Sequence, residues 1–175
     1  MCDNLLVEVH FKSRGCYVQP VPSHLDPVAQ TLQVAATFSG LTSNTVAAHI
    51  HCCLPSPLAP MNVGVATTVP AFIGFPLGVT SGNYSSQVFD LTQPLIYNPA
   101  FVTLQGGLPQ AEAALIAGIM NSETYFKIHT DMFGGGEIRG FLTPVPEAAT
   151  LSLLGLGIGG LIAARRRRTV SRLKS

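Results

Sequence analysis

Apolar and polar positions alternate with period two along much of the chain, and the alternation predicts short strands. In residues 31–41 (TLQVAATFSGL), Leu32, Val34, Ala36 and Phe38 share one face and Gln33, Ala35, Thr37 and Ser39 the other, so one half-buried strand is expected to end at Gly40. Ser43 and Asn44 mark a turn. In the next strand, Val46, Ala48 and Ile50 share one face, and Ala47, His49 and His51 the other. Residues 54–62 are Pro-rich and read as loop. Residues 63–69 and 85–91 are further strand candidates, separated by a Gly/Pro-rich stretch. One helix is expected from Pro109 through QAEAALIAGIMN, with Pro109 in its first turn and Leu115 and Ile119 on one face. A hairpin closes the domain: YFKIHT (125–130), a glycine-rich six-residue turn, then EIRGFL (137–142). Ile138 and Leu142 fall on one face of its return strand, Glu137 and Arg139 on the other.

The pattern changes after residue 147. Residues 148–164 (AATLSLLGLGIGGLIAA) carry no charge, and four arginines follow, Arg165, Arg166, Arg167 and Arg168. As a helix this run is about 25 Å long, enough to span a bilayer core at the short end of the range. Ala148, Leu151, Leu154, Gly155, Gly159, Leu161 and Ala164 are its anchor residues, and Gly155 and Gly159 form a GxxxG pair. The basic stop is expected to stay on the cytoplasmic side, with the preceding domain outside.

Composition agrees with one small β-rich domain plus appendages: charged residues are 11%, with 17 Gly and 13 Pro in 175 residues. The net charge of +1 conceals an asymmetry, because six basic residues and no acidic ones lie in 165–175 while all nine acidic residues precede them. The domain is therefore acidic, which argues against a nucleic-acid partner. Residues 1–25 form an atypical N-terminus, with no basic segment followed by an apolar run as an export signal requires. A misassigned start or a truncated gene is the expected explanation. Cys52 and Cys53 are adjacent, and a disulfide between neighbours is not assumed.

Two resemblances emerge from these motifs. Val145, Pro146 and Glu147, the apolar run and the arginine cluster resemble the PEP-CTERM sorting signal of Gram-negative bacteria, with Ala148 where the family pattern has Pro. The resemblance implies a cell-envelope protein anchored in the membrane by its C-terminal helix. It also implies processing by an exosortase-type enzyme, release to the surface or matrix, and exopolysaccharide or other surface proteins as neighbours. FSGL (38–41), HIH (49–51), HT (129–130) and GGEIRG (135–140) look like the chordin-type CHRD domain. That resemblance implies an immunoglobulin-like β-sandwich or barrel over residues 26–143, with one short helix, followed by the sorting tail at 144–175. Two departures stand out: Cys52-Cys53 replaces the usual Gly after HIH, and no opening strand is found upstream of Asp26.

Chemistry concentrates on a few residues. His49 and His51 project from one face of a strand, and His129 comes from a strand distant in sequence. Neutral imidazoles in a His-X-His plus His arrangement suit zinc or copper. Cys52, Cys53, Asp131 and Glu137 are candidate fourth ligands. The competing reading is that these histidines hydrogen-bond backbone or neighbouring side chains inside the sandwich. Glu137 and Arg139, on one face of the last strand, pair with each other or with His129 or Tyr125 in a fold-stabilising polar network, or else form a ligand-binding patch. No serine sits in a nucleophile elbow and no phosphate-binding loop is present, so no catalytic residue is assigned and no cofactor is expected. Three functions are in play: a non-enzymatic structural or binding module of the envelope or matrix, a metal-binding protein using His49, His51 and His129, or a truncated gene product.

Overall fold

A computed structural model describes residues 5–11, 17–19 and 23–145. The predicted membrane segment 148–164, with Pro146, Glu147 and Arg165 to Arg168, lies outside the described residues. Among the described residues no helix is long and apolar enough to cross a membrane.

Among the described residues ten strands form two antiparallel sheets. The strands are β1 (Leu5–Phe11), β2 (Tyr17–Gln19), β3 (Ser23–Asp26), β4 (Thr31–Gln33), β5 (Ala35–Ser39), β6 (Thr45–His51), β7 (Gly82–Ser85), β8 (Phe89–Asp90), β9 (Thr124–Thr130) and β10 (Ile138–Val145). The large sheet has the order β6-β9-β10-β1-β3-β4-β8, the small one β2-β5-β7. The large sheet's order does not close on itself, so these strands make no barrel. Seven and three strands also depart from the four-plus-three division of an immunoglobulin constant-type sandwich. Upstream of Asp26 the sequence reading finds no strand, whereas β1 lies between β10 and β3. The signal for it in the sequence is the alternation of Val7, Val9 and Phe11 with Glu8 and His10.

The single strand expected over 31–41 is two strands, one in each sheet. The chain changes sheets at Val34, which is fully buried. The partner segment changes sheets beside it: the strand expected over 85–91 divides into β7 and β8, with Ser86 at the crossing. Backbone groups at such a crossing leave the ladder and need other partners. Val34 N–H donates to Ser86 Oγ (2.9 Å), Ser86 N–H donates to the Val34 carbonyl (2.8 Å), and Ala35 N–H donates to Ser23 Oγ (3.1 Å). Hydrophobic alternation continues through such a corner, which is why it reads as one strand.

The core lies between the sheets. Leu25, Leu32, Ile50, Phe126, Ile128 and Leu142 of the large sheet are at most 1% exposed. Phe75, from the long connection between β6 and β7, stacks on Phe38 of the small sheet (5.6 Å) and meets Phe126 edge-on (6.0 Å). Among the described residues two α-helices are present, where the sequence predicted one in the domain. The extra one, α1 (Pro99–Gln105), has the Asn98 side chain as N-cap, Pro99 in its first turn and Gly106 in the left-handed conformation at its end. The expected helix, α2 (Leu108–Met120), buries Ala111, Leu115 and Ile119. At Gly118 an added Cβ would sit 2.8 Å from Cys52 Sγ and 2.9 Å from Thr124 Cγ2, so only glycine permits this approach to β9.

β6 is an edge strand of the large sheet, and the following connection lies along it. Cys52 N–H donates to the Gly64 carbonyl, Ala66 N–H to Ile50, Ala48 N–H to Pro70 and Phe72 N–H to Ala48. Residues 63–69 were expected as a strand, but they contribute only isolated bridges at Val65 and Thr67. Val46, expected on the core face with Ala48 and Ile50, is 39% exposed because a bulge between Thr45 and Ala47 shifts the register.

Candidate metal centre

The β6–β9 register places His49 opposite Lys127, His51 opposite Tyr125 and Ala47 opposite His129. These residues share the outer face of the sheet, since Ala48, Ile50, Phe126 and Ile128 occupy the core face. All seven residues of β9 are buried, because the 59–71 connection and the hairpin loop cover this outer face too.

The three imidazoles meet there. Ring centroids are 4.9 Å apart for His49 and His51, 4.6 Å for His49 and His129, and 5.9 Å for His51 and His129. Each ring contacts a backbone carbonyl through Nδ1: His49 with Pro70 (3.1 Å), His51 with Val63 (2.7 Å) and His129 with Gly134 (2.9 Å). A carbonyl only accepts, so each Nδ1 carries the proton and each Nε2 presents a bare lone pair. All three Nε2 atoms are buried without a hydrogen-bond partner. One ring nitrogen from each histidine lies within 4.8 Å of the others. A shared ion would need these nitrogens closer together, about 2.0–2.1 Å from itself, and the soft terminal torsion of histidine would permit that change.

Electrostatics keep the rings neutral. Burial lowers the pKa of His49 and of His51 from 6.5 to about 4, against the opposing effect of the Pro70 and Val63 carbonyls. Neighbouring histidines and the Lys127 ammonium push in the same direction as burial. His129 is lowered by burial and by Lys127, with the Gly134 carbonyl opposing. Three orphaned acceptors cost roughly 1–3 kcal/mol each. Each Nδ1 fixed by a carbonyl while Nε2 stays open is the outer-shell arrangement that orients metal-binding histidines.

The other predicted site residues are placed as follows. Glu137 does not pair with Arg139: its carboxylate accepts from Thr42 N–H (2.6 Å) and Thr130 Oγ1 (2.7 Å). Those bonds hold its pKa low despite the desolvation that opposes them. Arg139 donates to the Met61 carbonyl (2.8 Å) and lies over the Tyr125 and Phe141 rings (5.1 and 5.4 Å). Among the described residues no fourth ligand joins the three histidines. Cys52 and Cys53 are joined in a disulfide across a cis peptide, and Asp131 is exposed. Val145 ends β10 opposite Leu6. Lys127 was not among the predicted site residues, although period two puts it on the histidine face of its strand, between Phe126 and Ile128. Nor were the carbonyls of Val63, Pro70 and Gly134, for which sequence carries no signal.

No curated protein and no solved structure matches the chain. Two families do. The PEP-CTERM protein-sorting motif matches residues 144–168, which implies processing by an exosortase-type enzyme and an address at the cell envelope. The CHRD domain matches residues 23–142, well over half of the sequence, and takes in all three histidines, the crossing at Val34 and the closing hairpin: the chain belongs to the CHRD-domain family.

Proposed function

We propose that this protein is a non-enzymatic envelope or matrix component whose CHRD domain binds a zinc or copper ion through Nε2 of His49, His51 and His129. One observation carries the reading: three buried, unpartnered lone pairs converge, each on a ring whose other nitrogen is held by backbone. A purely structural cluster has every reason to satisfy those atoms, because buried polar groups are almost always paired. Three histidines leave a coordination position open, so the ion is exchangeable or takes an outside ligand. The sorting tail supports a place outside the cytoplasm, with anchoring by residues 148–164 before any release.

The test uses the full chain in neutral detergent, stripped with EDTA and titrated with Zn(II), Cu(II) and, under reductant, Cu(I). The expected result is one ion per chain for at least one of these metals, a raised melting temperature on loading, and loss of both in His49→Ala and His129→Ala. If no metal binds, or binding persists in both variants, the metal reading is wrong and the histidines form a structural cluster. A bound metal that leaves the melt unchanged also counts against it, since an ion held only by the folded state must stabilise that state.

A further inference from the structure

Beside the histidines lies a second feature that the metal reading does not use. A polar cleft of about 320 Å³ opens between the 60–62 segment and the closing hairpin, lined by Asn62, Lys127, Gly135, Gly136 and Arg139. Lys127 is only 6% exposed. Its ammonium donates to Asn62 Oδ1 (2.9 Å) and sits 5.7 Å from the centre of the Tyr125 ring. Asn62 Oδ1 also accepts from Arg139 at 3.5 Å, so one amide oxygen serves two cations. The one carboxylate at the cleft, that of Glu137, is turned to Thr42 and Thr130. Among the described residues no carboxylate pairs with Lys127 or Arg139.

Two cations gathered in a cleft repel each other, and here they share a single amide oxygen. A buried charge without a counter-charge is expensive, and an ammonium has three protons to donate. The loop is also shaped around the lysine. Gly136 has φ +100°, and a Cβ there would collide with the Lys127 stem, which fixes the ammonium at the cleft. Arg139 is steadied by the rings beneath it and by the Met61 carbonyl.

We propose that this cleft binds a compact oxyanion, with the Lys127 ammonium and the Arg139 guanidinium as its partners. The guanidinium offers a planar donor fork that matches a carboxylate, sulfate or phosphate edge. The ammonium supplies a point charge from the other wall, and the Gly135–Gly136 backbone leaves room for close approach. The volume suits one small acid or one acidic group on a larger molecule. None of the metal-binding nitrogens takes part, so the site stands apart from the metal reading.

The experiment is an NMR titration of the ¹⁵N-labelled full chain, metal-free and in neutral detergent. Sodium acetate, glucuronate and phosphate are added against sodium chloride at constant ionic strength, with glucose as neutral control. Saturable shifts centred on Asn62, Gly135 and Gly136 are expected for at least one oxyanion and not for glucose. Lys127→Met, which keeps the packed stem, and Arg139→Gln are each expected to weaken the affinity about tenfold or more. Preference for glucuronate over acetate identifies a sugar-borne carboxylate as the source, and preference for phosphate the free inorganic ion. Wild-type shifts that never saturate, glucose binding as well as glucuronate, or affinities unchanged in both variants overturn the proposal.

Discussion

The neutral state of the histidines makes stability depend on pH in a calculable way. His49 and His51 have pKa values lowered from 6.5 to about 4 in the folded chain. Between those values the unfolded chain binds more protons than the folded one, so metal-free stability rises with pH across the window and falls as pH drops through it. From pH 7 to pH 5 the shift is worth about 1.8 kcal/mol per ring at full strength. Water reaching the rim of the cluster screens part of that, which leaves about 3 kcal/mol for the pair. This interval lies mostly above the range where carboxylates titrate, so Glu137 contributes little to it. Urea unfolding of the EDTA-treated chain, followed by circular dichroism at pH 7, 6 and 5, measures the slope. His49→Gln removes one of the three shifted rings, His129 being lowered as well, and is expected to flatten the slope by roughly a third to a half. Stability that is flat, or higher at pH 5, would refute the claim that these rings are buried and neutral.

Two further outcomes follow from other parts of the molecule. Gly118→Ala is expected to destabilise the fold by about 1–3 kcal/mol, because the new methyl meets Cys52 and Thr124 well inside contact distance; an unchanged urea midpoint would show that α2 shifts freely. In an exosortase-bearing host, mass spectrometry is expected to find the mature chain ending close to Glu147, and recovery of an intact C-terminus from the cell surface would sink that expectation.

What was legible in the sequence depended on locality. β6, α2 and the closing hairpin are governed by alternation, a proline and a glycine-rich turn, all within a few residues of each other, so their positions were readable. The His49–His51 face followed from period two, and the HT and GEIRG motifs brought His129 into the same neighbourhood. The crossing at Val34 and Ser86 was not readable, because its determinants are hydroxyl-to-backbone bonds spanning about fifty residues. α1 was missed because seven residues are too few for a clear helical period, although Asn98-Pro99 and Gly106-Gly107 bracket it. The pairing expected between Glu137 and Arg139 failed because their neighbours decide the matter: Thr42 and Thr130 claim the acid, Met61 and two aromatic rings the base.

The connection lying along β6 has a consequence for life at high local concentration. An open strand edge is a template on which a second copy can add its own strand, and repeated addition yields fibres. Here Gly64, Ala66, Pro70 and Phe72 already occupy hydrogen-bonding positions along that edge, and β8, at the opposite end of the large sheet, is only two residues long. Covering that edge removes a template for strand addition between copies, and a deletion that shortened the 63–72 stretch is expected to make the protein aggregate more readily, which light scattering would read.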